Sequence, residues 1–308
     1  MLPLEIKNLK KTYFNKKSKQ NVPAVKGVSF DVKPGEIFGL LGPNGAGKTT
    51  IISSISTLEA VTDGQVLVFG KSVSTDSRFT KSQTGVVPQE LINQGFFNLL
   101  EILKFHSGYF GIRNNTEHIE FLLKRLGLWE HRKKMVKELS GGMKRRMMIA
   151  KALVHKPKLL LLDEPTAGVD IELRSSLWDF VSELKSQGVS VLLTTHYLEE
   201  AEKMCDRIGI INLGKLEYLG KTKEIIKQLT QTVVEIEFNQ ATTLKSPFLI
   251  KQSGNQFRFQ IPSSKQVGEF LTETKIDLTT IKDIRTLDGN LEDAFKAVLK
   301  NNEQQVSL

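Results

Sequence analysis

The sequence predicts an α/β fold built on a mostly parallel sheet, followed by a smaller α+β unit. Three observations carry this. Ile37-Phe38-Gly39-Leu40-Leu41, Leu159-Leu160-Leu161-Leu162 and Ser190-Val191-Leu192-Leu193-Thr194-Thr195 are short runs dominated by apolar residues, as expected of strands covered on both faces. Each precedes a segment with helical apolar spacing. Between the first strand and its helix lies Gly42-Pro43-Asn44-Gly45-Ala46-Gly47-Lys48-Thr49-Thr50, the G-x-x-x-x-G-K-[ST] spacing of a phosphate loop in its required strand–loop–helix setting.

Length and composition set bounds. A chain of 308 residues holds one large domain and a smaller one, each with a core. Apolar and charged fractions are those of a globular protein. No apolar run approaches the ~18 residues that suggest a membrane span. The start, Met1-Leu2-Pro3-Leu4-Glu5-Ile6-Lys7, has no signal-peptide apolar segment, so a cytosolic chain is expected, with any membrane role supplied by a partner. The single cysteine, Cys205, excludes an intrachain disulfide and a cysteine-cluster metal site; it reads as a small apolar filler. The formal charge is +9, and its densest parts, Lys10-Lys11, Lys16-Lys17 with Lys19, Arg132-Lys133-Lys134 and Lys144-Arg145-Arg146, lie apart without interleaved aromatics. It reads mainly as solvated surface, and no nucleic-acid partner is expected.

In chain order, Leu4–Leu9 alternates like an edge strand, and Val28–Val32 alternates after Gly27. Tyr13 lies before a lysine-rich loop, either as core or as a flat face on which a base stacks. In the phosphate loop the glycines let successive N–H groups turn toward phosphate, and the following helix adds its positive end. Gln65–Gly70 is a further strand candidate, and Thr84-Gly85-Val86-Val87-Pro88-Gln89-Glu90 reads as a short strand that ends at Pro88. Residues from about 98 to 130 read as helices, with Leu99, Leu100, Leu103 and Phe105 on one face, then Ile119, Leu122, Leu123 and Leu126.

Ser140 is an N-cap candidate for a helix opening with Gly141-Gly142, where backbone donors lie unshielded. Lys144, Arg145 and Arg146 in its first turns oppose the helix dipole, a misfit that an anion at that end would relieve. The Leu159 strand closes on Asp163-Glu164, where open α/β sheets bind ligands. The next helix buries Leu173, Leu177, Phe180, Val181 and Leu184 and stops at Gly188. His196 stands at the end of the Ser190 strand. The other four histidines read as surface. Beyond residue 230, Val234, Ile236, Phe238, Phe257, Phe259 and Ile261 alternate with polar residues, as in half-buried strands. Asn290 caps a last helix, with fraying expected from Asn301.

The order of phosphate loop, Gln89, Leu139-Ser140-Gly141-Gly142, Asp163-Glu164 and His196 resembles the nucleotide-binding subunit of an ABC transporter over residues 4–230. Leu139–Arg146 and Glu164–Asp170 most resemble the ABC-2-type exporters, as does the appendage at 231–308. The resemblance implies a P-loop ABC cassette: a RecA-like parallel-sheet core, an antiparallel β subdomain, a helical subdomain and the small accessory domain. It implies that Tyr13 stacks on adenine, that Lys48 holds phosphate, and that Thr49, Asp163 and Gln89 serve Mg²⁺. Glu164 is then the base that activates water, and His196 the switch that touches the γ-phosphate. Ser140, Gly141 and Gly142 close on the ATP of a second copy, and Asp170 crosses that interface. The implied partners are a separate transmembrane permease subunit and a second copy in the ATP-bound state, at the cytoplasmic face of the plasma membrane. Met143 stands where the family more often has Gln, and Gly168-Val169 where it has Ala-Leu; neither change removes a backbone donor or a charged role. The alternative reading is a non-transport ABC ATPase acting on ribosomes or DNA. The ribosome type usually carries two phosphate loops, and the DNA type a long coiled coil between its motifs. A GTPase or kinase would leave the Ser140 signature and His196 unused.

Overall fold

The computed structural model describes residues 1–90, 95–166, 171–240, 244, 246–262 and 265–306. Contacts divide the chain into two compact units, Met1–Leu219 and Gly220–Leu308.

The first unit contains two sheets. Four antiparallel strands run in the order Gln20–Val32, Leu4–Asn15, Asp63–Val68, Lys71–Ser72. Leu4–Leu9, expected at an edge, therefore belongs to an interior strand, and Tyr13 lies near the end of that strand, just before the lysine-rich turn at 16–19. Alternation records that one face is buried, a property that edge and interior antiparallel strands share. The inner face, with Leu4, Ile6, Val28, Phe30 and Val66, joins Ile51 and Ile55 of the helix Lys48–Ile55 and Leu159 and Leu161 in one core.

The second sheet has six strands in the order Lys215–Lys221, Arg207–Asn212, Ile37–Leu41, Ser190–Thr195, Leu159–Asp163, Thr84–Val87. The last five are parallel. Every residue of Ile37–Leu41, Leu159–Asp163 and Ser190–Thr195 is buried, as their composition requires. Register fixes the site: Leu41 pairs with Thr195, Asp163 with Thr194, and Val87 with Leu162. Gly42, His196, Glu164 and Gln89 thus emerge along one carboxyl edge of the sheet, where this architecture binds ligands.

Helices Leu99–Tyr109, Thr116–Arg125 and Gly141–Leu153 pack together. The first starts in a capping box, Asn98 accepting from the Glu101 N–H while Glu101 accepts from the Asn98 N–H. Its buried face is Leu99, Ile102 and Leu103. Phe105, expected on that face, is 59% exposed.

The second unit is a four-stranded antiparallel sheet, ordered Leu249–Ser253, Gln256–Pro262, Gln231–Phe238, Ile281–Leu287. Val234, Ile236, Phe257, Phe259 and Ile261 form its core with Phe270, matching the alternation. The helix Thr222–Leu229 packs on the last helix, Leu291–Val306. Asn290 caps the latter by accepting from the Asp293 N–H. That helix runs past Asn301, where fraying was expected, to Val306.

Candidate nucleotide site

The phosphate loop is shaped by glycines that cannot be replaced. A Cβ on Gly42 would lie 2.3 Å from the Ile211 carbonyl oxygen; Gly45 and Gly47 hold φ of 80° and 109°, the left-handed region. Pro43 O accepts from the Ala46 N–H, and Ala46 O accepts from the Gly214 N–H. Asn44 and Gly45 face solvent. Lys48 Nζ curls back to donate to Gly42 O at 2.7 Å and Pro43 O at 3.1 Å. Burial pushes the Lys48 ammonium below its ordinary range, while Glu164 and Asp163 pull it back up. Thr49 is exposed and Thr50 half-buried at the first turn of the helix.

Opposite the loop, Thr194 Oγ1 donates to Asp163 Oδ1 and accepts from the Glu164 N–H. Glu164 holds φ of 49°, an uncommon conformation outside glycine. It turns the carboxylate toward two residues from separate strand ends. Gln89 Nε2 donates to Glu164 Oε2 at 3.2 Å, and His196 Nδ1 stands 3.2 Å from the same oxygen. Three residues chosen from distant motifs therefore meet on one atom.

Arg145 is the residue that sequence reasoning misplaced. It does not wait for an anion at the helix start; it is 3% exposed. Its Nε donates to Pro165 O at 2.9 Å, and Nη1 to Pro88 O and Gln89 O at 2.7 and 3.0 Å. Nη2 donates to Asp163 O at 3.0 Å and to Glu164 O. One guanidinium so ties the helix that follows Ser140 to both loops carrying Gln89 and Glu164. Burial pushes Arg145 down, and Asp163 and Glu164 hold it charged. Arg146 instead donates to Leu126 O. Three adjacent basic residues look alike in sequence; helix rotation sends them to different surroundings.

Ser140 caps its helix, accepting from the Met143 N–H at 3.3 Å. Ser140 and Gly141 are exposed and Gly142 half-exposed, and a Cβ at Gly141 would touch nothing within 4 Å. Their donors open outward. Tyr13 is half-buried opposite Val22, with Lys11 Nζ 4.8 Å from its ring centroid. Gly168-Val169 and Asp170 lie outside the described residues.

The remaining histidines are not a solvated set: His106, His118, His131 and His155 are all partly buried. His106 and His155 border a cleft of about 270 Å³, their rings 6.4 Å apart. Burial lowers both to about 4.

A family model described as ABC transporter matches residues 25–167. The linearmycin resistance ATP-binding protein LnrL of Bacillus subtilis is 39% identical over 236 residues, covering 76% of this chain and 74% of that protein. The Nod factor export ATP-binding protein I of Rhizobium etli is 35% identical over 307 residues, covering 96% and 92%. The chain belongs to the ABC transporter family. It is an ATP-binding subunit, and its ATP hydrolysis is coupled to transport. Among solved structures, an ATP-binding subunit of an ABC transporter is 30% identical, with a TM-score of 0.68 over 74% of this chain and 93% of that one. A dimeric bacterial ABC transporter cassette is 25% identical, with a TM-score of 0.65 over 71% and 98%. The first unit thus has the ABC cassette fold, and the antiparallel sheet of the second unit is an addition to it.

The donor set of this ABC cassette fits nucleotide and Mg²⁺. Lys48 supplies a buried cation, and Thr49, Gln89 and Asp163 offer side-chain oxygens. Among the described residues, no group of three His, Cys, Asp or Glu could hold a metal. A cation held by one carboxylate, neutral oxygens and phosphate suits Mg²⁺, which seldom takes an all-protein cage.

Proposed function

We propose that this chain hydrolyses ATP for an ABC-2-type export complex, at the cytoplasmic face of the membrane. It works as a homodimer and drives a separate membrane-spanning subunit. The full-length similarity to a Nod factor export protein and the similarity to a linearmycin resistance protein support the export reading. Among the described residues no helix is long and apolar enough to cross a membrane; the similarity to exporter ATP-binding proteins is what supports a separate membrane subunit.

The convergence on Glu164 Oε2 carries the catalytic reading. Gln89 and His196 hold one carboxylate oxygen, and the other, Oε1, takes the proton from the attacking water. Thr194 fixes Asp163, which with Thr49 and Gln89 would hold Mg²⁺. When bound, that ion neutralises charge across the β- and γ-phosphates. Lys48 cradles the same phosphates with the backbone of Gly42–Thr50, and His196 meets the γ-phosphate. Tyr13 offers the adenine its free ring face. Phosphoryl transfer of this kind rests on positioning and charge stabilisation. Ser140, Gly141 and Gly142, open to solvent, complete the site of a second copy, and ATP favours the closed dimer by differential affinity.

Glu164→Gln should keep ATP binding, lower turnover at least about 100-fold, as loss of a general base does, and elute as a dimer with ATP. Parent-rate hydrolysis would remove Glu164 from the role of base. Purification of the tagged chain from its host membranes should bring down a membrane-spanning subunit.

A further inference from the structure

Lys11 is buried, 8% exposed, on a strand whose other lysines, Lys7 and Lys10, are exposed. An ammonium taken out of water is costly unless its donors are satisfied, and Lys11 meets three partners for its three N–H groups. Its Nζ stands 2.7 Å from Glu59 Oε2, donates to Ala60 O at 2.8 Å, and lies over the Tyr13 ring, 4.8 Å from the centroid. Residues two places apart on a strand project from the same face, so Lys11-Thr12-Tyr13 sets cation and ring side by side.

Glu59 and Ala60 belong to the segment that follows the phosphate-loop helix, Lys48–Ile55. The Leu58 and Glu59 N–H groups donate to Ser53 O of that helix at 2.9 and 3.1 Å. Lys11 therefore joins Tyr13 to the element that begins with Lys48. The strand needs such a tie. Its pairing with Asp63–Val68 runs from Leu4 to Lys10, which faces Asp63. Beyond Lys10, among the described strands, only Gln20–Val32 runs beside it. Register shifts fall in the same stretch, between Leu9 and Lys10 and between Lys11 and Thr12. On the open edge the Thr12 N–H donates to Thr62 Oγ1 at 3.1 Å, and Lys11 reaches the ring itself.

We infer that Lys11 is a positioning residue for the nucleobase. Clamped by Glu59 and Ala60, its ammonium holds the Tyr13 ring at a fixed span from the phosphate loop, so that adenine stacks on the opposite ring face while the phosphates reach Lys48. The inference rests on the reading of Tyr13 as the adenine platform. A cation over an aromatic face is drawn to the ring quadrupole; here it occupies one face, fixes the tilt of the ring and leaves the other face for a base. The base then meets a platform already in its bound geometry, and such preorganisation raises affinity without a new contact to the ligand. Glu59 balances the ammonium, so Lys11 presents little net charge to the phosphates. Its effect belongs to ligands that carry a base and is lost with those that do not.

The test uses the full-length chain with Mg²⁺ and two probes: ADP, which carries the base, and tripolyphosphate, which does not. Both affinities are read by displacement of a fluorescent ADP labelled on the ribose, and circular dichroism melts show that each variant is folded. Lys11→Met, which keeps the stem and removes the charge, should weaken ADP about fivefold, the scale of a partly desolvated cation–π contact. The same change should move tripolyphosphate by less than about twofold, as expected of an uncoupled site. Tyr13→Leu should weaken ADP at least about fivefold, as loss of a stacking partner does, and Lys11→Met added to it should cost less than about a further twofold. Glu59→Gln, which loosens the clamp and leaves the strand intact, should weaken ADP about threefold and spare tripolyphosphate; it decides the matter should Lys11→Met fail to fold. Parent affinity for ADP in a folded Lys11→Met chain, or in Glu59→Gln where that variant decides, overturns the inference. So does an equal loss for tripolyphosphate, or an equal loss in the Tyr13→Leu chain, since either marks a residue that only supports the fold. Parent affinity for ADP in Tyr13→Leu overturns the reading of Tyr13, and the inference with it.

Discussion

Replacing Arg145 by Met should be among the most damaging single changes in the first unit. The guanidinium makes five charge-assisted bonds to the carbonyls of Pro88, Gln89, Asp163, Glu164 and Pro165. At about 1.5–3 kcal/mol each, simple addition gives far more than any substitution costs, because the five act together and water re-satisfies some carbonyls. Removing one member of a buried charged network costs about 3–5 kcal/mol, and we take about 4 kcal/mol. For a unit of this size, that lowers Tm by roughly 8–16 °C. Lysine has three donors on a point-like ammonium, so Arg145→Lys should lose about half as much as Arg145→Met, still on the order of 2 kcal/mol. Both tryptophans, Trp129 and Trp178, lie in the first unit, so fluorescence during urea unfolding reports that unit without the second. Catalysis should suffer as well: kcat should fall more than KM rises, because Glu164 loses its anchored backbone while Lys48 keeps its loop. A folded Arg145→Met chain within about 1 kcal/mol of the parent, a typical single-mutant cost, with parent kcat, would refute the hub.

Two further outcomes follow from the same geometry. Ser140→Arg should abolish turnover although Lys48, Glu164 and His196 of the same chain are untouched. Mixing it with the equally inactive Lys48→Ala should restore up to roughly a quarter of parent activity, since half the dimers then hold one whole site of two; a mixture that stays inactive would count against shared sites. Acid should weaken the first unit through His106 and His155. Both titrate near 4 when folded, below the ordinary value of 6.5. Between those values the unfolded chain binds protons that the folded chain refuses, so stability is full above pH 6.5 and declines toward pH 4. The urea midpoint should fall across that window more steeply for the parent than for His155→Gln; equal slopes would mean that the histidine is not the titrating group.

The parallel core was legible because Leu159–Leu162 and Val191–Leu193 are apolar on both faces, which few settings other than a central strand tolerate. The phosphate loop was legible from its strand–loop–helix spacing, whereas Gln89, Glu164 and His196 were picked out through the resemblance; their meeting on one oxygen shows only when parallel strands bring their ends together. What sequence could not show depends on rotation and on neighbours. Leu4–Leu9 alternates whether one strand or two lie beside it. Phe105 has helical spacing with Leu99 and Leu103 yet points to an open hollow. His106 and His155 share a cleft although 49 residues separate them. Arg145 sits between two other basic residues, and only the helix phase tells which one turns inward.

The lone thiol has a practical consequence. Cys205 is buried behind Gly39, where an added Cβ would lie 2.8 Å from Sγ, and burial pushes the thiol well above its ordinary range. Reagents that need an accessible thiolate will pass it over. The native chain is therefore already silent to maleimides and spin labels. A single cysteine engineered at Ser140 or Asn44 will report only its own position, so distances across the proposed dimer can be read without first removing Cys205.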